Sequence, residues 1–158
     1  GNYKQDEVKN LLTLFKNNMK QGDKMLIGID LKKNPSVILN AYSDPHGITK
    51  KFNLNLLIRI NRELQADFKY DDFDFYCHYN PISGEVRSYL VSLKDQYVKI
   101  NSIEKTIHFK QNEIIWTELS KKYNPEEITE IANETGFKVL ENFMDCKHYF
   151  TDSLWEKV

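Results

Sequence analysis

The spacing of apolar positions changes along this chain, and each change marks an element. Between residues 6 and 20, Val8, Leu11, Leu12, Phe15 and Met19 recur at helical spacing, and Gly22 follows as a stop signal. Gly22-Asp23 leads into Lys24-Met25-Leu26-Ile27-Gly28-Ile29-Asp30-Leu31, a short apolar run expected to form a buried strand. Helix, Gly-Asp turn and buried strand follow the grammar of a parallel α/β sheet. A loop with Lys32, Lys33 and Pro35 precedes a short helix over residues 36–42, and Ser43-Asp44-Pro45-His46-Gly47 is a turn cluster. Ser43 or Thr49 is placed to cap the longest helical pattern, residues 52–65, in which Phe52, Leu56, Leu57, Ile60 and Leu64 line one face. That helix is rich in asparagine, a middling helix former. Asn53, Asn61 and Arg62 are therefore expected to cap and bridge, with a role in a site as the alternative.

From Phe73 the period falls to two. Residues 73–80 and 85–94 flank the loop Pro81-Ile82-Ser83-Gly84 and predict a hairpin, and further strands follow at 97–101, 103–109 and 113–120. Pro125-Glu126-Glu127 opens a helix with Ile128, Ile131 and Ala132 on its apolar side, and Gly136 ends it. Residues 137–144 and 148–155 predict a closing pair of strands. Both ends thus read as α/β, and the middle, from about residue 42 to residue 120, reads as an α+β lobe. Such a lobe, inserted in an α/β sheet, commonly shapes a substrate pocket.

Composition narrows the function classes. The chain has 158 residues, enough for one well-buried core or for part of a two-domain protein. Its 22 basic and 23 acidic residues give a net charge of −1, which offers no electrostatic footprint for nucleic acid or an anionic membrane. No apolar run reaches bilayer-spanning length and no signal peptide opens the chain, so a cytoplasmic protein is expected. Cys77 and Cys146 are expected to be reduced thiols, and the first residue, Gly rather than Met, suggests an expressed piece of a longer protein. The four histidines are scattered without metal-ligand spacing, and the six glycines form neither a dinucleotide nor a phosphate loop. No Gly-x-Ser-x-Gly nucleophile turn occurs.

One stretch carries candidate chemistry. In a strand over residues 114–120, Trp116, Glu118 and Ser120 share one face while Ile115, Thr117 and Leu119 take the other. A carboxylate and a hydroxyl beside an indole suit recognition of an amine, and Tyr42, Phe52 and Tyr79 are further candidates for aromatic walls. The same alternation also describes a sheet face open to water.

Three segments go further. Tyr42-Ser43-Asp44-Pro45-His46-Gly47-Ile48-Thr49-Lys50-Lys51-Phe52-Asn53-Leu54-Asn55 runs into Ile60-Asn61-Arg62-Glu63-Leu64-Gln65-Ala66-Asp67-Phe68. Thr117-Glu118-Leu119-Ser120-Lys121-Lys122-Tyr123 and Gly136-Phe137 follow, and Gly28-Ile29-Asp30-Leu31-Lys32-Lys33 lies upstream. Together they closely resemble the C-terminal half of the histidine-specific, S-adenosylmethionine-dependent Nα-methyltransferases of the ergothioneine pathway. The resemblance implies a Rossmann-like cofactor domain with an inserted substrate-recognition lobe of antiparallel strands. Residues 1–41 and 121–158 would belong to the cofactor domain and 42–120 to the lobe, while S-adenosylmethionine would bind mostly outside this chain. The parent protein would methylate the α-amino group of histidine or a related amino acid, and the fragment alone would be inactive. Tyr42 would position the amino group as the catalytic residue, Glu118 and Ser120 would hold the distal side chain, and Thr49 and Phe52 would lie near the same pocket. Val86-Arg87-Ser88 stands where histidine-specific members tend to carry Ile-Glu-Met, so Ser88 departs at a substrate-pocket position. The alternative is a stand-alone module that binds an amine or amino acid without methyl transfer. A third reading is an interaction domain that dimerises through strand edges exposed by truncation.

Overall fold

The chain passes between two compact units at Pro35, Asn80, Arg87 and Leu119. The computed structural model describes residues 1–158. Gly1–Asn34, Asn80–Val86 and Leu119–Val158 form one unit; Pro35–Tyr79 and Arg87–Glu118 form the other. Helix α2 (Pro35–Tyr42) therefore belongs to the second unit, although the sequence pattern grouped it with the preceding strand.

In the first unit, α1 (Gln5–Asn17) leads to β1 (Lys24–Asp30), and α4 (Pro125–Glu134) leads to β7 (Phe137–Met144) and β8 (Phe150–Lys157). The sheet order is β1-β8-β7, with β8 antiparallel to both neighbours, from Lys24↔Glu156 to Asp30↔Phe150 on one side. The expected burial of β1 is not found. Its residues alternate, Leu26 being 61% exposed while Met25, Ile27 and Ile29 pack on the core. The reason is the pleat: only alternate side chains face Leu12 of α1, Ile128, Ile131 and Ala132 of α4, and Phe137 and Trp155. The Trp155 ring lies 5.9 Å from Phe137, and its indole N–H donates to Ser153 Oγ at 2.6 Å, so its polar end is satisfied in the core. Asn124 and Glu127 form the capping box of α4: the Glu127 amide donates to Asn124 Oδ1 at 2.8 Å and the Asn124 amide to Glu127 Oε2 at 2.9 Å.

The second unit contains α3 (Ile48–Leu64) and most of β2 (Phe73–Asn80), β3 (Glu85–Ser92) and β6 (Ile114–Lys121), which form a sheet in the order β2-β3-β6. Strands β4 (Gln96–Ile100) and β5 (Lys105–Phe109) form an antiparallel ribbon, Gln96↔Phe109 to Ile100↔Lys105. Phe68, Phe73 and Phe109 pack with centroids 5.5 to 6.0 Å apart, joined by Leu54, Leu57, Leu90 and Val98. The core face of α3 differs from the one its apolar spacing suggested. Asn53, Leu54 and Leu57 are buried, whereas Phe52 is 75% exposed and Leu64 is also exposed. A hydrogen-bonded asparagine occupies the face where the hydrophobic pattern expected an aromatic ring. Asn61 bridges as expected: its amide donates to the Phe68 carbonyl at 2.7 Å and its carbonyl oxygen accepts from the Phe68 amide at 2.8 Å.

The tip of the β2–β3 hairpin depends on Gly84. Its φ is 74°, its amide donates to the Asn80 carbonyl at 2.8 Å, and its carbonyl accepts from the Lys122 amide at 2.7 Å. A Cβ there would collide with the Lys122 carbonyl and the Lys32 side chain. Gly84→Ala is expected to lower unfolding free energy by about 2–3 kcal/mol, from the left-handed backbone and the displaced neighbours. Urea unfolding measures this, and an unchanged midpoint would contradict it.

Candidate functional site

In the second unit the turn after α2 sets the start of α3. Asp44 Oδ2 accepts from the Ile48 amide at 2.9 Å and Oδ1 from the Thr49 amide at 2.8 Å. Asp44 is therefore the capping residue, where the sequence pattern had offered Ser43 or Thr49. Those amide bonds hold the Asp44 carboxyl down to about 2. Half-buried Thr49 is thus fixed at the first turn, and its carbonyl accepts from Asn53 Nδ2 at 3.0 Å. Asn53 Oδ1 in turn accepts from Thr117 Oγ1 at 3.1 Å, so buried Asn53 ties α3 to β6 one residue before Glu118.

This tie orients β6. Thr117 turns toward α3, so alternation puts Trp116 and half-buried Glu118 on the opposite side of the strand. Trp116 is 49% exposed, and its indole N–H donates to the Glu118 carbonyl at 2.8 Å, which lays the ring along the strand. Tyr42 is half-buried at the end of α2. Phe52 lies open on α3 and adds no wall to a closed pocket. Ser88 on β3 is 1% exposed and its hydroxyl has no partner.

Ser120 counts with the first unit and is 6% exposed. Its Oγ accepts from Lys122 Nζ at 2.8 Å, and the same ammonium lies 2.7 Å from Asp30 Oδ2. Lys33 Nζ donates to the other oxygen of Asp30 at 2.6 Å and stands 4.8 Å from the centre of the Tyr149 ring. Burial alone would raise the Asp30 carboxyl, but the hydrogen bonds and charges of Lys122 and Lys33 outweigh it and hold it below the ordinary carboxylate value. A second cluster secures the hairpin tip: Lys32 donates to Glu127 and to the Ile82 carbonyl, and Lys121 to Glu127 and to the Ser83 carbonyl. Neither lysine cluster was apparent from the sequence, in which these four lysines had no assigned partners.

The sequence over residues 1–157 matches the profile of the histidine-specific, SAM-dependent methyltransferases. The chain belongs to that family. Histidine N-alpha-methyltransferase of Mycobacterium tuberculosis is 34% identical over 128 residues, which cover 81% of this chain and 40% of that protein. The enzyme of the same name from Mycolicibacterium smegmatis is 30% identical, over 89% of this chain and 42% of its own length. Ergothioneine biosynthesis protein 1 of Schizosaccharomyces pombe is 26% identical over 90% of this chain and 18% of its own length. The chain thus spans well under half the length of the curated relatives it matches.

A groove between Gln5, Lys121, Tyr123, Glu127, Glu130 and Ile131 holds about 70 Å³, room for a few waters. The crowded glycines are met by the chain's own atoms: Gly28 by Phe150, Gly84 by Lys122 and Lys32, and Gly136 by Lys16.

Asp44 gives a direct check on the geometry of the α3 start. Its depressed carboxyl supplies stability that is fully present above about pH 4, the unfolded value, and is lost as pH falls toward the folded one. Carbon-13 NMR should show the Asp44 carboxyl still ionised at about pH 3, and titration near an ordinary 3.9 would contradict the cap.

Proposed function

We propose that this chain supplies the substrate-recognition side of a SAM-dependent N-methyltransferase acting on the α-amino group of histidine or a related amino acid. The family match along residues 1–157 carries this reading. Residues 42–120 would be the recognition lobe, and the flanking residues the closing part of a Rossmann-like cofactor domain. The placement of β8 antiparallel between β1 and β7 is consistent with a closing strand pair at the edge of such a sheet.

Methyl transfer to nitrogen needs an uncharged amine with its lone pair aimed at the methyl group, so the contribution of these residues is binding and orientation. Tyr42 would hold the amino group, next to a turn made rigid by Asp44. Glu118 would accept an N–H from the substrate side chain, and Ser120 would add a hydroxyl contact. Thr49 and Phe52 lie on α3, which Glu118 faces away from, so they would border the same substrate only around the free edge of β6. Ser88 belongs in the reading because a buried hydroxyl without a partner costs about 1–3 kcal/mol, which a polar substrate atom would offset. It is the position at which this chain's substrate would differ from that of the histidine-specific members.

Glu118 is the sharpest test. In the full-length protein, Glu118→Ala is expected to weaken L-histidine binding by about 1–3 kcal/mol, roughly 5- to 150-fold, through loss of a charge-assisted hydrogen bond. Calorimetric titration measures the change, and unchanged affinity would remove Glu118 from the substrate site.

A further inference from the structure

A serine hydroxyl both gives and takes hydrogen bonds, so by itself Ser120 would accept either kind of ligand atom. Lys122 biases that choice. Its ammonium, in a residue 3% exposed, lies 2.8 Å from Ser120 Oγ and 2.7 Å from Asp30 Oδ2. An ammonium has donors only, so Ser120 Oγ is the acceptor in that bond; this takes one of its two lone pairs and turns its O–H away from the cation. Accepting from a cation also polarises the O–H and strengthens it as a donor.

We propose that Lys122 is a positioning residue that makes Ser120 a hydrogen-bond donor to the substrate, so that the substrate side chain is taken as an uncharged ring with a bare nitrogen. This rests on the reading of Ser120 as a substrate contact. A neutral imidazole offers a lone pair to the Ser120 O–H. A protonated imidazole would set an N–H against that hydrogen and bring a second positive charge toward Lys122. Other charged groups lie around the pair. Asp30, at the end of β1, is shared with Lys33, and both lysines keep it ionised. Gly1 packs beside Ser120, its carbonyl accepting from the Lys121 amide at 2.7 Å, while the Lys121 side chain is engaged by Glu127. Glu118, two residues earlier on β6, would favour the protonated ring, so the preference for a neutral ring measures how far Lys122 prevails.

Calorimetry of the full-length protein with L-histidine between pH 5.5 and 7.5 tests this. Wild-type affinity is expected to fall about tenfold toward pH 5.5, as an imidazole of pKa about 6.5 becomes charged. In Lys122→Met the fall is expected to shrink to threefold or less, and Lys122→Arg, which keeps the cation and its donors, should restore it. The substrate's α-amino group titrates alike in all three, and thermal unfolding reports whether each variant is folded. Wild-type affinity that is flat or rises toward acid would overturn the proposal even if Lys122→Met does not fold, and so would a Lys122→Met profile as steep as wild type. Ser120→Ala separates the two layers: unchanged affinity at every pH would defeat the reading of Ser120 itself. Weakened affinity together with a steep Lys122→Met profile would defeat only the role of Lys122.

Discussion

Burying a lysine ammonium costs several kcal/mol unless its charge and its donors are matched. Lys122 is 3% exposed, and the first unit is arranged to match it. Asp30 supplies the countercharge from the end of β1, Ser120 accepts a hydrogen bond, and the Lys122 amide takes the Gly84 carbonyl of the hairpin tip. The tip is held again from the far side, where Lys32 and Lys121 bridge its carbonyls to Glu127. Glu127 is itself fixed by the capping box at the start of α4. The end of β6, the end of β1, the hairpin tip and the first turn of α4 are thus one electrostatic assembly, and Ser120 takes its orientation from it.

Across the division of the chain, the second unit fixes its own part of β6 with a carboxylate cap and a bond between neutral side chains. Asp44 starts α3, Asn53 on that helix accepts from Thr117, and Glu118 is thereby turned away from the helix. The Asn53–Thr117 bond is worth only about 1 kcal/mol net, but burial makes a missing partner costlier than the bond itself. That asymmetry accounts for a buried asparagine, a middling helix former, on the core side of α3.

The elements themselves were legible because period two and period 3.6 are imposed by the backbone and survive any context. Pro125 with Glu127 announced α4, which begins at Pro125 with Glu127 in its capping box. The misreadings come from residues whose surroundings override their type. The β1 run is apolar on both faces, yet Leu26 lies on the unpacked one. Asn53 is polar yet faces the core of α3, while Phe52 beside it is exposed. Lys122 and Asp44 could not be singled out, because a buried ion pair or a carboxylate cap depends on partners that only the fold brings near. The roles of Glu118 and Ser120 came from their resemblance to a family, since alternation alone also describes a wet sheet face.

The central claim is that this chain recognises histidine or a close relative for methylation at the α-nitrogen. Mass spectrometry of the products formed by the full-length protein from L-histidine and a panel of other amino acids, with a methyl donor present, tests it most directly. The account predicts histidine or a related amino acid with added methyl mass that fragmentation places on the α-nitrogen. Methyl mass on the side chain, or no methylated amino acid from any member of the panel, would contradict it.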